Sequence, residues 1–157
     1  MLLAIDPGTT ESAYCLMDGY KPVQFGKLPN LEMLSFIYQL DNEPEVVIEK
    51  VASYGMPVGE EVFETCVWTG RFIEAIFYSE DVARITRHEI KQAICHSVKA
   101  NDATIKQALV DRFAYNVPNH GKGSKKEKGW FYGFKADIWS SYAIAVVHLD
   151  RKRGHNV

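Results

Sequence analysis

The chain has 157 residues, 46% of them apolar and 24% charged, which suits one domain with its own core and excludes a disordered chain. Three cysteines (Cys15, Cys66, Cys95) are too few and too scattered for a disulfide framework or a CxxC zinc site, and no apolar run approaches the roughly 18 residues that cross a bilayer. Net charge is −2, from 18 Lys and Arg against 20 Asp and Glu; acids dominate before Glu80 and bases from Arg84 onward, as if a polyanion lay along one side, or as a solvated loop and tail would read.

In chain order, Leu2 to Asp6 reads as a short apolar strand ending in the turn Asp6-Pro7-Gly8-Thr9-Thr10. The stretch before Asp6 has no basic lead-in and does not read as a signal peptide, so the expected location is cytoplasmic. Ser12 to Met17 reads as a second strand, Asp18-Gly19 as a hairpin turn, and Pro22 to Leu28 as the returning strand. Asn30 is placed to cap a short helix with Leu31, Leu34, Ile37 and Tyr38 on its apolar face. Glu45 to Glu49 has a buried-strand pattern, Val51 to Gly59 that of a loop, and Glu61 to Tyr78 that of a long helix, with Trp68, Phe72, Phe77 and Tyr78 at core-like spacing. Asp81 to Ile85 is a further strand. Thr86-x-x-Glu89 is a capping box opening a helix to about His96, and Asp102 is placed to cap another with Ile105, Leu109, Val110 and Phe113. Ala114 to Phe134 is a long loop, and Ala136 to about Arg151 is a closing helix, apolar through most of its length.

Three antiparallel strands leave a free edge beside the first, and a helical crossover lays the fourth parallel to it. The expectation is one α/β domain over residues 1–157: a mixed five-stranded sheet, three antiparallel strands plus two parallel, flanked by helices on both faces. In that topology the carboxyl ends of the first and fourth strands are neighbours. They carry Asp6 and Glu49, each ending an apolar run. Either acid alone reads as a strand leaving the core, but two neighbouring carboxylates repel unless a positive charge sits between them. Hard oxygen donors without a histidine or cysteine cluster suit Mg²⁺ or Mn²⁺. The five histidines (His88, His96, His120, His148, His155) have no ligand spacing. Asp137 opens the last helix, where it reads as helix-dipole or capping chemistry, or as a third oxygen ligand if the helix crosses the strand ends. Three carboxylates around two divalent cations about 3.5–4 Å apart are an arrangement for phosphodiester hydrolysis. Lys122, Lys125, Lys126 and Lys128, just upstream, are placed to hold a nucleic-acid backbone.

Ile5-Asp6-Pro7-Gly8-Thr9-Thr10, Val47-Ile48-Glu49-Lys50-Val51, Arg87-x-x-Ile90-Lys91-Gln92 and Lys135-Ala136-Asp137 ahead of Ala143-Ile144-Ala145 resemble, in order, the RuvC Holliday-junction resolvases of the ribonuclease H-like superfamily. The resemblance spans nearly the whole chain, including Thr69-Gly70-Arg71, and its size and lysine loop look more like the phage-encoded branch, which implies the host cytoplasm. A first-loop likeness to sugar kinases and actins lacks the second domain those folds need.

The resemblance implies a ribonuclease H-like sheet and a metal-dependent endonuclease that resolves four-way and other branched DNA by paired nicks. It implies Asp6, Glu49 and Asp137 as catalytic metal ligands, two Mg²⁺ ions per site with Mn²⁺ as substitute, and products with a 5′-phosphate and a 3′-hydroxyl. Arg87 and Lys91 match the basic segment that approaches DNA, and Lys106 lies one position from a second such lysine. The family's junction-opening aromatic falls at Ala52; nearby Tyr54 is a substitute or an ordinary loop aromatic. Paired nicks imply a homodimer, with the Glu61–Tyr78 helix as interface. The departure is Ser140: the family has a fourth carboxylate there, one turn after Asp137, whereas serine adds a metal-water contact without charge. Glu64 and Asp150 are the acids available to compensate. Ser140 keeps open a junction-binding protein with a degenerate site, and a ribonuclease or flap nuclease on the same fold is a third reading.

Overall fold

The computed structural model describes residues 1–41, 43–76 and 81–154. Strands β1 (Leu2–Asp6), β2 (Glu11–Asp18), β3 (Lys21–Pro29), β4 (Glu45–Lys50) and β5 (Ala83–Thr86) form one sheet in the order β3-β2-β1-β4-β5. The first three are antiparallel, β4 lies parallel to β1, and β5 lies parallel to β4. This is the mixed sheet expected from the sequence.

Alternation along β1 sends Leu3 and Ile5 to one face and Leu2 and Ala4 to the other. The Leu3 face, with Tyr14, Val46 and Ile48, packs on α1 (Asn30–Tyr38) and α2 (Glu60–Ala75) through Met33, Ile37 and Phe72. The Ala4 face, with Cys15, Met17, Val47 and Ile85, packs on α3 (Arg87–Cys95), α4 (Asp102–Phe113) and α5 (Ala136–Lys152). Helix α5 lies across β1 and β2 and buries an unbroken run from Ser141 to Val147. Fully buried Ile144, Val146 and Val147 each contribute about 1.5–3 kcal/mol, so this seam fixes the helix firmly on the sheet. Among the described residues no helix is long and apolar enough to cross a membrane.

Several boundaries differ from the sequence expectation for physical reasons. Pro29, not Asn30, precedes the first turn of α1 and gives no side-chain cap; the Asn30 side chain is buried in other bonds. Asn101, not Asp102, caps α4, because Thr104 three residues on completes a reciprocal capping box with it. Helix α2 begins at Glu60 and ends at Ala75, with Ile76 extended; Phe77 and Tyr78 lie outside the described residues, as does His155. The capping box at Thr86 and Glu89 forms as expected. The segment from 114 to 134 is a series of hydrogen-bonded turns, anchored by fully buried Phe131 and Phe134.

The β2–β3 hairpin contains a bulge. Met17 faces Pro22 but Leu16 faces Gln24, so Val23 is the extra residue on β3, half-exposed at 47%. The shift moves every later β3 side chain to the opposite face from that of an unbulged hairpin.

Candidate active site

The strand registers align a single row of side chains across the sheet. Lys27 of β3 faces Ala13 of β2, and Ala13 faces Asp6 of β1. Ile5 faces Ile48, so Glu49 of β4 follows beside Asp6, and Glu49 faces Ile85 of β5. By the alternation above, the row lies on the face covered by α5. Asp137, in the first turn of α5, joins it there. The methyl group of Ala13 leaves room in the row, and a cleft of about 240 Å³ opens between Asp6, Ala13, Lys27, Asp137 and the turn from Pro7 to Glu11.

The turn after Asp6 is braced from beneath. The Gly8 N–H donates to Ser12 Oγ (3.1 Å), which donates to Asn30 Oδ1 (2.7 Å), and Asn30 Nδ2 donates back to the Gly8 carbonyl (3.0 Å). The Asn30 N–H adds a bond to the Thr10 carbonyl (2.9 Å). Ser12 and Asn30 are almost fully buried. Gly8 is required by close approach, since a Cβ there would lie 2.3 Å from the Glu11 carbonyl oxygen.

Electrostatically the acids form one unit centred on Asp6. Burial, then the charges of Glu49 and Asp137, push its pKa from 3.8 up to about 8, and Arg87 and Lys27 reverse only part of this. Burial also raises the Glu49 carboxyl, against the pull of Arg87. Arg87 Nη1 lies 4.0 Å from Glu49 Oε2, and its other nitrogen bonds Asp102. Lys27 Nζ lies 2.5 Å from Asp137 Oδ2 and 3.7 Å from Glu11 Oε2. Its bond to Asp137 raises the lysine pKa and keeps the ammonium charged. The donor set, carboxylates only and mutually repelling, fits a hard divalent cation. Asp6, Glu49 and Asp137 are the residues that would hold it, although no three acidic, histidine or cysteine side chains among the described residues surround one point as a ready-made cage.

The remaining candidates are placed as follows. Ser140 is half-buried one turn after Asp137. Tyr54, with φ of 50°, stacks on His88 at 3.4 Å between ring centroids, and its hydroxyl accepts the His88 N–H at 3.0 Å. It is thus docked on the start of α3, next to Arg87. Lys91 is half-buried on α3, and the Lys106 ammonium sits 5.5 Å over the Trp139 ring, near the first turn of α5. Lys125, Lys126 and Lys128 are exposed and Lys122 is half-buried; Lys128 lies over the Tyr132 ring. Neither acid considered as compensation joins the row. Asp150 is at the far end of α5, bonded by Arg112 and Tyr20, and Glu64 is exposed on α2, which packs on the opposite face. Sequence reasoning missed Lys27, Glu11, Ser12 and Asn30 as parts of the site. The signal for Lys27 was the hairpin, but only with the bulge included.

No protein-family model matches the chain, and no curated protein matches it. Solved structures do. A Thermus thermophilus RuvC structure aligns over 98% of this chain and 96% of its own, with 16% identity and a TM-score of 0.64. T. thermophilus RuvC in complex with a Holliday junction substrate aligns with the same coverage, 14% identity and a TM-score of 0.62. The chain has a RuvC-like, ribonuclease H-like fold.

Proposed function

We propose that this protein is a divalent-metal-dependent endonuclease that nicks branched DNA, four-way junctions above all. The observation that carries the reading is the convergence of Asp6, Glu49 and Asp137, from two strands and a helix, on one sheet face where Asp6 is pushed up to about 8 by burial and its neighbours. Such a cluster is stable in its charged form only with a cation. Bound there, Mg²⁺ or Mn²⁺ would make water a better nucleophile near neutral pH and offset the charge that builds on a phosphodiester.

The chain's own residues do the rest. Asp6 is the central ligand, Glu49 and Asp137 flank it, and Ser140 offers a neutral hydroxyl. Arg87 steadies Glu49 from the start of α3. Lys125, Lys126 and Lys128, with Lys122, Lys91 and Lys106, supply positive charge for the backbone, which positions DNA without reading its sequence. Tyr54, docked on His88, lies in the loop that follows the acid-bearing end of β4. Hydrolysis joins a water oxygen to phosphorus and breaks the bond to the 3′ oxygen, which leaves as the hydroxyl; the other fragment keeps a 5′-phosphate.

Nicking both opposed strands requires two sites related by a two-fold axis. A homodimer through α2 supplies them: Phe63 is 62% and Val67 57% exposed on that helix, and Gly70 beside them leaves the backbone open to close approach. The solved RuvC complex with a Holliday junction supports branched DNA as the ligand class. The test is purified protein with an end-labelled four-way junction, alongside flap and RNA–DNA hybrid substrates. Mg²⁺-dependent paired nicks, lost in Asp6→Asn, support the reading. Retention of the junction with no cutting in Mg²⁺ or Mn²⁺ makes it a binder, the alternative that Ser140 favours, and faster cutting of hybrids makes it a ribonuclease.

A further inference from the structure

Among the described residues, Lys27 is the one strong cation lining the cleft, and the proposed function does not use it. Its position comes from the sheet: the bulge at Val23 places it in the same cross-strand row as Asp6 and Glu49, separated from Asp6 only by Ala13. Its ammonium lies 2.5 Å from Asp137 and lines the cleft together with Asp6. The space on the Asp137 side of Asp6 therefore already holds a positive charge. A second divalent ion there would have to expel that ammonium from between Asp137 and Glu11.

Glu11, 3.7 Å from the same ammonium, adds a second carboxylate to its surroundings and helps to hold it beside Asp137.

Resting on the metal-dependent reading above, we infer that the site takes one divalent cation per chain, held by Asp6 and Glu49, while Lys27 supplies the second positive charge beside Asp137. Lys27 is then a substrate-facing residue, placed to contact a non-bridging phosphate oxygen.

The test is calorimetric titration of Mn²⁺ into the metal-free full-length protein, with electron paramagnetic resonance of the loaded samples. Wild type should bind one Mn²⁺ per chain, with the signal of an isolated ion. Lys27→Ala should bind two, with the spin-coupled signal of a pair. Lys27→Gln, which keeps the side chain's bulk, should do the same and carries the test if Lys27→Ala fails to fold by circular dichroism. Two coupled ions in wild type overturn the inference and leave the nuclease reading standing; so does a single ion in a folded Lys27 variant. No bound ion in wild type or variant overturns both.

Discussion

Replacing Asp6 by Asn should make the metal-free protein more stable while removing its response to metal. In the native site the Asp6 carboxyl is raised from 3.8 to about 8. A raised carboxyl binds its proton more tightly in the folded than in the unfolded chain, so its favourable share of stability is complete below about pH 4 and is lost as pH climbs towards about 8. The gap between those two values, at about 1.4 kcal/mol for each tenfold change, sets an upper figure of about 6 kcal/mol. Side-chain relaxation and water entry reduce this to about 2–3 kcal/mol. Asn keeps the shape and carries no charge. Urea denaturation of metal-free wild type and Asp6→Asn at about pH 5 and pH 8 should show the variant ahead by about 2–3 kcal/mol at the higher pH, the gap narrowing at the lower. Saturating Mn²⁺, at about 100 times its Kd, should raise wild type by about 2.7 kcal/mol and leave the variant unchanged. A variant less stable than wild type at pH 8, or one that keeps the Mn²⁺ response, refutes the picture of a repelling cluster that awaits a cation.

Asn30→Ala should cost about 1–3 kcal/mol in urea denaturation, because Ser12 and the Gly8 carbonyl lose partners in a buried network. The same variant should depress nicking, since the turn after Asp6 loses its brace. Arg112→Leu removes the guanidinium that both Asp150 oxygens accept and should cost about 3 kcal/mol by the same measurement. Replacing Lys125, Lys126 and Lys128 together by Ala should weaken junction binding and flatten the plot of log Kd against log salt by about 2–3, at about 0.9 for each lost phosphate contact, with thermal stability unchanged. A salt slope equal to that of wild type would remove the loop from the DNA interface.

Much of this site can be read without coordinates, and the reason is topological. Apolar runs ending in Asp6 and Glu49 mark two buried strands, and a helical crossover between them makes them parallel, so their acids have to meet. Asp137 follows once the last helix is seen to be apolar nearly all round and thus destined to lie on the sheet. Lys27 escapes the same logic because a two-residue turn at Asp18-Gly19, read without a bulge, sets Lys27 against Thr10 and points it at the wrong face. One extra residue, Val23, reverses that. Asn30 and Asp102 mislead for a different reason: both are good capping residues, yet Asn30 is drawn into a buried network and Asn101 takes the cap beside Asp102. Cap choice is settled by a third residue, Thr104 in one case and the buried Ser12 in the other. Tyr54 could be located in the loop after β4, but its stacking on His88 depends on a positive φ that composition does not announce.

Helix α5 acts as a lever. Its C-terminal portion is pinned through Asp150 to Arg112 and Tyr20, and through Lys152 to Glu45, whereas its opening turn carries Asp137. Thirteen residues of α-helix separate Asp137 from Asp150, about 20 Å. A tilt of about 3° at the pinned end would swing Asp137 through about 1 Å, and misplacement on that scale is worth about 100-fold in rate. Sequence changes around Arg112 or Glu45 are thereby transmitted to the acid-bearing end of the helix as lost aim.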